Sequence, residues 1–342
     1  MSLILRQSVV AANAAAARQW DEVRRLRATF NRTEQHLRRL GAINADTTLG
    51  PRFWLDLDRS TVELIGQEAD PLFTDLMALS RSVNIGKLVA AYRRLGPLDA
   101  GETSLNGQLP KLMGQTAADY DGIPIPVHSK AFGRQWREVE GQRSMGYDDL
   151  ADDQQAAVRE VIRLMTVNMM DGNPNVEYQG FQSYGIKNNP NTLAVELLAD
   201  FTDPNATYAE LQSAFVAFVM AVRGGDNRVT APGTAYVSPE IEQNLQRASG
   251  ATTMDRTFMV ALGETAGVES IKTSYLLTGN EMLYVVRNRA YIQPVTGMAI
   301  TTTPIPRLQP FADHQFVTWS ASGLQIRSDQ EGRSGVAYGT SS

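Results

Sequence analysis

Asp149-Leu150-Ala151-Asp152-Asp153-Gln154-Gln155-Ala156-Ala157-Val158-Arg159-Glu160-Val161-Ile162-Arg163-Leu164-Met165-Thr166-Val167-Asn168-Met169-Met170 is the stretch on which the reading of the fold turns. Val158, Val161, Ile162, Met165 and Met169 recur three and four apart, the spacing of one apolar stripe on a helix over about 149–170. At 1.5 Å per residue that helix is roughly 30 Å long and would be the longest rigid strut of a central body. Asp148 and Asp149 stand where free N–H groups and the helix dipole favour carboxylates. Asp171-Gly172-Asn173-Pro174 stops it, and the text to residue 191 is Gly- and Asn-rich and reads as loop.

On the N-terminal side, Ile123-Pro124-Ile125-Pro126-Val127 is excluded from a sheet centre because proline lacks a ladder donor; it reads as an edge or extended segment. Phe132, Trp136 and Val139 continue it as a strand. Residues 97–122 are rich in Gly, Asn and Thr, with an Asn106-Gly107 pair of the kind favoured in tight hairpins. A loop of that length in a compact domain is functional or leans on something else. Earlier still, a helix is expected over about 68–95 and a strand at Phe53–Asp58. Val23, Leu26, Phe30, Thr33, Leu37 and Leu40 form a narrow apolar seam on an opening helix that stops at Gly41. That helix must lie against a surface, the chain's own or a neighbour's.

On the C-terminal side, Leu211, Ala214, Phe215, Phe218, Val219 and Val222 outline an amphipathic helix closed by Gly224-Gly225. Thr234–Val237 reads as a strand, with Ser238 as helix cap and Pro239 in the first turn of a helix to about 248. Leu283–Val286 reads as a buried strand, Phe316–Trp319 with Gly323–Ile326 as a late hairpin, and the text from Asp329 as a polar tail.

Composition narrows the function classes. The 342 residues are 43% apolar and 20% charged, the pattern of a globular chain with a sizeable core. With no Cys there is no disulfide, thiolate metal site or cysteine nucleophile, and His36, His128 and His314 are too scattered for histidine metal chemistry. No apolar stretch reaches the roughly 20 residues of a membrane span, and Arg6 breaks a very short N-terminal apolar run, so no membrane partner is expected and the chain reads as cytoplasmic. The net charge of −5 conceals an asymmetry: residues 1–40 hold eight Arg against Asp21, Glu22 and Glu34, while the remainder carries 24 basic and 34 acidic residues. Such a basic arm, with Arg18, Arg24, Arg25, Arg27, Arg32, Arg38 and Arg39, either faces a polyanion or docks on its own kind.

No Rossmann or Walker glycine pattern, Gly-x-Ser-x-Gly elbow, zinc-protease helix or calcium loop is present, and Gly263–Gly267 reads as a plain loop. Asp148, Asp149, Asp152 and Asp153 suit a helix start better than a hydrolase's carboxylate pair, and His128 beside an extended segment reads as a structural histidine. No catalytic, metal or cofactor site is assigned. What remains is a seam helix, a long mid-chain loop and no site, the marks of a subunit whose surface serves its neighbours.

The order of these elements resembles the Hong Kong 97 fold of tailed-bacteriophage major capsid proteins and of encapsulins. Arg18-Gln19-Trp20-Asp21-Glu22-Val23 is similar to the opening helix of encapsulin-type shells, and Pro124–Phe132 through Arg134 and Trp136 to the strand before the spine helix. Val161–Gly172 followed by Gly180–Ile186 resembles the end of that helix, and Tyr236–Ile241 the strand-to-helix passage of apical domains. The resemblance implies an α+β chain: an N-terminal arm at 1–60, a peripheral domain at 61–96 and 131–191 with a spine helix at 149–170, an extended loop at 97–130, an apical domain at 192–300, and a return to the peripheral domain with a C-terminal tail at 301–342. It implies a non-enzymatic major capsid protein of the virion, assembled in the host cytoplasm from hexamers and pentamers around double-stranded DNA, with portal and scaffolding or decoration proteins as partners. An encapsulin-like compartment is the alternative, and a carboxylate-dependent hydrolase the more distant one. The arm arginines become inter-subunit or DNA-facing, and Asn106, Gly107 and Lys111 become contacts of the extended loop. Some relatives cross-link a loop lysine to an asparagine; Lys111 lies in the matching loop, but no acceptor is evident and no cross-link is expected.

Overall fold

In a computed structural model, the structure describes residues 14–39, 54, 58–61, 64, 69–96, 118–139, 149–225, 227–248, 256–309, 311–329 and 331–341. In chain order the elements are α1 (Ala14–Arg39), α2 (Pro71–Met77), β1 (Arg81–Ser82), β2 (Val89–Leu95), β3 (Ala118–Pro124), β4 (Val127–Arg134) and α3 (Asp149–Met170). There follow β5 (Gly172–Tyr178), β6 (Phe181–Tyr184), β7 (Leu193–Glu196), α4 (Tyr208–Arg223), β8 (Gly233–Val237), α5 (Pro239–Leu245) and α6 (Phe258–Gly263). The chain closes with β9 (Val268–Thr273), β10 (Glu281–Val285), β11 (Ile292–Ile305), β12 (His314–Ile326) and β13 (Val336–Thr340).

The spine helix α3 has the expected bounds, and all five stripe residues are buried. They share a core with Leu72, Phe73 and Leu76 of α2 and with Ile300, Leu324 and Ile326 of a four-stranded sheet ordered β1-β11-β12-β4. Pairing of β11 with β12 runs from Ile292↔Ile326 to Ile305↔Gln315 with two register shifts. The late hairpin expected inside 316–326 is instead one continuous strand, because every residue from His314 to Ile326 finds a partner on β11 or β4. Edge strand β4 pairs His314↔Arg134 through Ala321↔Val127, with residues 136–139 following as a helical turn rather than more strand.

A second sheet, ordered β7-β13-β10-β8-β9, draws four of its five strands from the span expected of an apical domain. Helix α4 covers it with the six predicted residues buried and begins with a reciprocal cap: the Glu210 N–H donates to the Thr207 hydroxyl and the Thr207 N–H to the Glu210 carboxylate. Ser238 caps α5 by accepting from the Ile241 N–H at 3.2 Å and donates to the Gly279 carbonyl at 2.6 Å. The two domains share a boundary: Asp75 of α2 accepts from the Tyr236 hydroxyl at 2.7 Å and from Lys272 Nζ at 2.5 Å, and burial together with Asp75 raises the Tyr236 pKa.

Several expectations are corrected. Residues 89–95 are strand, since Tyr92 and Arg94 alternate with Ala91 and Arg93 against a partner, β3, that lies beyond the 97–117 connection. Trp54 and residues 58–61 are helical, not strand; Thr61 accepts a hydrogen bond from Gln154 of α3. Residues 172–184 form a hairpin whose two-residue turn, Gln179-Gly180, has both φ values positive, at 53° and 83°. Domain boundaries also move. The extended segment starts as a ribbon at Val89, and 127–130 belongs to the four-stranded sheet. The strand β11 takes 292–300 out of the apical domain. Most of all, the polar tail contains β13, inserted between β7 and β10 with Val336 and Ala337 fully buried. Gly339 is required there, because a Cβ would lie 2.8 Å from both Leu197 and Phe218.

Candidate functional site

Two surfaces drew the sequence-based assignments, the arm helix and the extended loop. On α1 the buried stripe is Val23, Arg27, Phe30, Glu34 and Leu37. The expected seam is therefore rotated: Leu26 is 37% exposed, Thr33 is half-buried, and Leu40 lies outside the described residues. Both stripes satisfy a three-four spacing, and what decides between them is charge recruited from distant segments. Arg307, in the β11–β12 connection, donates to Glu34 from Nε at 2.8 Å and Nη2 at 2.6 Å, with exposures of 2% and 0%. Arg27 forks onto Asp58 at 2.9 and 2.8 Å, donates to the Thr302 carbonyl at 3.2 Å and stacks 4.5 Å over Trp54. Arg27 is thus corrected from an outward-facing arginine to an internal one; its cation, if unpaired at this depth, would cost several kcal/mol. The arm docks on its own sheet, with Phe30 against Phe316, which stacks on Phe132. Arg18, Arg24, Arg25, Arg32, Arg38 and Arg39 face outward.

The extended loop is rooted as the β2–β3 ribbon, paired from Val89↔Pro124 to Leu95↔Ala118. Gly122 permits its tight approach, since a Cβ would meet Ala90 O and Ala91 Cα at 3.2 Å. Ile123 and Ile125 root it in the core with Val23, Val295 and Met298. A polar node holds the root: Asn191 donates to the Ile326 carbonyl at 3.0 Å and Asp121 at 3.3 Å, Tyr92 donates to Asp121 at 2.9 Å, and Ser328 donates to Asn191 at 2.7 Å. Burial first, then Asp121, raises the Tyr92 pKa, so its hydroxyl stays a donor. By contrast Ala118, Asp119 and Tyr120 at the far end are exposed. Asn106, Gly107 and Lys111 lie outside the described residues. Further large apolar side chains stand exposed elsewhere: Leu308, at 89%, and Phe311 beyond the β11 end, Leu198 and Tyr275 on the apical domain.

Of the acidic cluster, Asp148 and the Asp149 side chain are outside the described residues, Asp152 is exposed, and Asp153 is taken by Arg134, which forks onto it with Nη2 at 2.9 Å. Burial lowers the His128 pKa against a backbone hydrogen bond with Ser322, keeping the imidazole neutral within β4. Gly267, at φ 96°, opens β9, and its carbonyl accepts from Tyr284 at 2.7 Å, so Gly263–Gly267 is structural. Among the described residues no three His, Asp or Glu side chains are grouped to hold a metal, and no helix is long and apolar enough to cross a membrane. Sequence reasoning missed Glu34, Arg307, Tyr92, Asp121 and Asn191; no local pattern marks them, since each acts on a partner at least 29 residues away.

The model of a family of unknown function, DUF6260, matches residues 44–339. No curated protein matches the chain in sequence. The fold is similar to that of the capsid of Myoviridae phage XM1, with a TM-score of 0.61, 13% identity, and coverage of 81% of this chain and 94% of the other. It is similar to the virus-like particle from Pyrococcus furiosus, with 0.58, 12%, 84% and 99%, and to the capsid of Ralstonia phage GP4, with 0.50, 10%, 77% and 87%. The chain therefore has the Hong Kong 97-like capsid fold, α+β in class.

Proposed function

We propose, from the premise that this chain belongs to the family of unknown function DUF6260, that it is a shell subunit: its copies close into an icosahedral capsid of pentamers and hexamers around the double-stranded DNA of a tailed phage. The observation that carries this reading is the β2–β3 ribbon on a capsid fold. Its root is buried and pinned by Asn191, yet Ala118, Asp119 and Tyr120 at its outer end are exposed. A two-stranded ribbon is marginal in water unless another surface covers it. A neighbouring copy is the cover that repeats around a closed ring, and such an interface needs about 1,000 Å². Exposed Leu308, Phe311, Leu198 and Tyr275 support further contacts of the same kind. Portal and scaffolding or decoration proteins are then its partners, the virion its location and the host cytoplasm its place of assembly.

Size-exclusion chromatography with negative-stain microscopy of the purified full chain tests the proposal. Megadalton particles, or pentamer and hexamer mixtures that convert to them, are expected. A protein that stays monomeric or dimeric at high concentration overturns it. The likeness to the virus-like particle from Pyrococcus furiosus favours one second reading, the encapsulin-like compartment that the sequence also resembles. Particle contents decide between the two, nucleic acid against protein.

A further inference from the structure

Arg18, Arg25, Arg32 and Arg39 stand seven residues apart on α1, and all four are exposed. Seven residues on an α-helix advance about 10.5 Å and drift only about 20°, so the four guanidinium groups form one stripe roughly 32 Å long. The buried stripe of Val23, Arg27, Phe30, Glu34 and Leu37 lies on the opposite side of the same helix. Docking α1 on its own sheet therefore turns the arginine row outward.

From Arg25 to Arg39 the outward row meets no acid of its own helix. Glu34, the one carboxylate in that span, faces the other way in its pair with Arg307. Asp21 and Glu22 sit beside the first turn of the row, and Asp21 approaches Arg24 at 3.7 Å. Resting on the shell reading above, we infer that Arg25, Arg32 and Arg39 form a non-specific contact surface for the phosphate backbone of duplex nucleic acid, and that α1 faces the shell's interior. Two observations favour this occupant over an acidic patch of a second copy. A protein interface has an apolar centre with charges kept to its rim; here Leu26, on the flank, is the one large apolar side chain α1 exposes among the described residues. The chain beyond residue 40 carries 34 acidic against 24 basic residues, so a polyanion meets net repulsion from that body and attraction at this row.

The test uses the full chain, as unassembled subunits and as shells recovered from cells. Anisotropy with a fluorescent 30-base-pair duplex is measured from 50 to 200 mM salt for wild type, for Arg25→Gln/Arg32→Gln/Arg39→Gln, and for an Arg→Lys version of the same three. Each lost phosphate contact lowers the salt slope by about 0.9, so the Gln variant is expected to lose about 40-fold of the wild type's salt-induced change in affinity across that range, while the Lys variant keeps it. Shells of the Gln variant should look normal and carry less nucleic acid. An unchanged slope, or wild-type subunits that ignore the duplex at 50 mM salt, overturns the inference. So does a Gln variant that binds DNA as before and no longer assembles, which assigns the row to a neighbouring copy. Failure of wild type to assemble while the slopes behave as stated would sink the shell reading and leave this surface standing.

Discussion

The apical domain and the arm-docking face bury side chains equally deeply by opposite means. Around the five-stranded sheet the interior is aliphatic and aromatic, with Phe201, Leu211, Phe215, Phe218, Met282 and Tyr284 in one cluster. Under α1 the same depth holds Glu34, Arg307 and Arg27 beside Phe30 and Phe316. An apolar interior yields by degrees, because neighbours relax into a cavity and losses scale with the void. An ion pair out of water does not: removing one member strands the other, whereas removing both together costs little. The apical domain is thus held by quantity of burial, and the arm by a specific match.

Breaking that match should give the largest effect. Glu34→Ala is expected to cost about 3–5 kcal/mol in urea unfolding, and Glu34→Leu with Arg307→Met to recover most of it. A loss under about 1 kcal/mol for the single change would erase the contrast. In the apical domain, Leu211→Ala should cost about 2–4 kcal/mol, with hydrogen-exchange protection lost across β7 to β10 and β13 while α3 keeps its own. Removing the α4 cap by Thr207→Ala should cost about 1 kcal/mol, read from the same urea midpoint.

A smaller effect depends on pH. Burial pushes the Glu281 pKa up, but the Tyr338 hydroxyl, Lys187 and the Thr278 N–H outweigh it and hold the carboxyl below its ordinary value of 4.5. A depressed folded-state pKa adds stability above pH 4.5 that is lost as pH falls through the folded value. The stability gap between wild type and Glu281→Gln should therefore narrow steadily as pH is taken from 6 towards 3; a constant gap refutes the assignment. Last, Arg163→Ala removes an exposed pair with Glu160 and should leave the urea midpoint unchanged, the surface counterpart of the buried pair.

These contrasts mark what was legible from the chain. Helices α3 and α4, strand β8 and the Ser238-Pro239 start of α5 were readable because each signal is local: a stripe repeating within one helix, or a cap acting on a residue three positions on. At the candidate site, the outward position of Arg18, Arg24, Arg25, Arg32, Arg38 and Arg39 agrees with the composition, while Arg27 and Leu26 exchanged sides. The exchange was illegible because two stripes on α1 fit the same spacing.

Sequence alone determined the spine helix with its length, a cysteine-free body, a basic arm on an acidic remainder, and an order of elements resembling shell proteins. Tertiary structure alone decided which face of α1 is inside, that Val336–Thr340 is an interior strand, and that the extended segment is rooted by Asn191, Tyr92 and Asp121. The physical reason is range. Periodicity and capping act across one or two turns of chain, but Glu34 finds Arg307 273 residues away, and β13 is buried only because β7 and β10 were brought to either side of it.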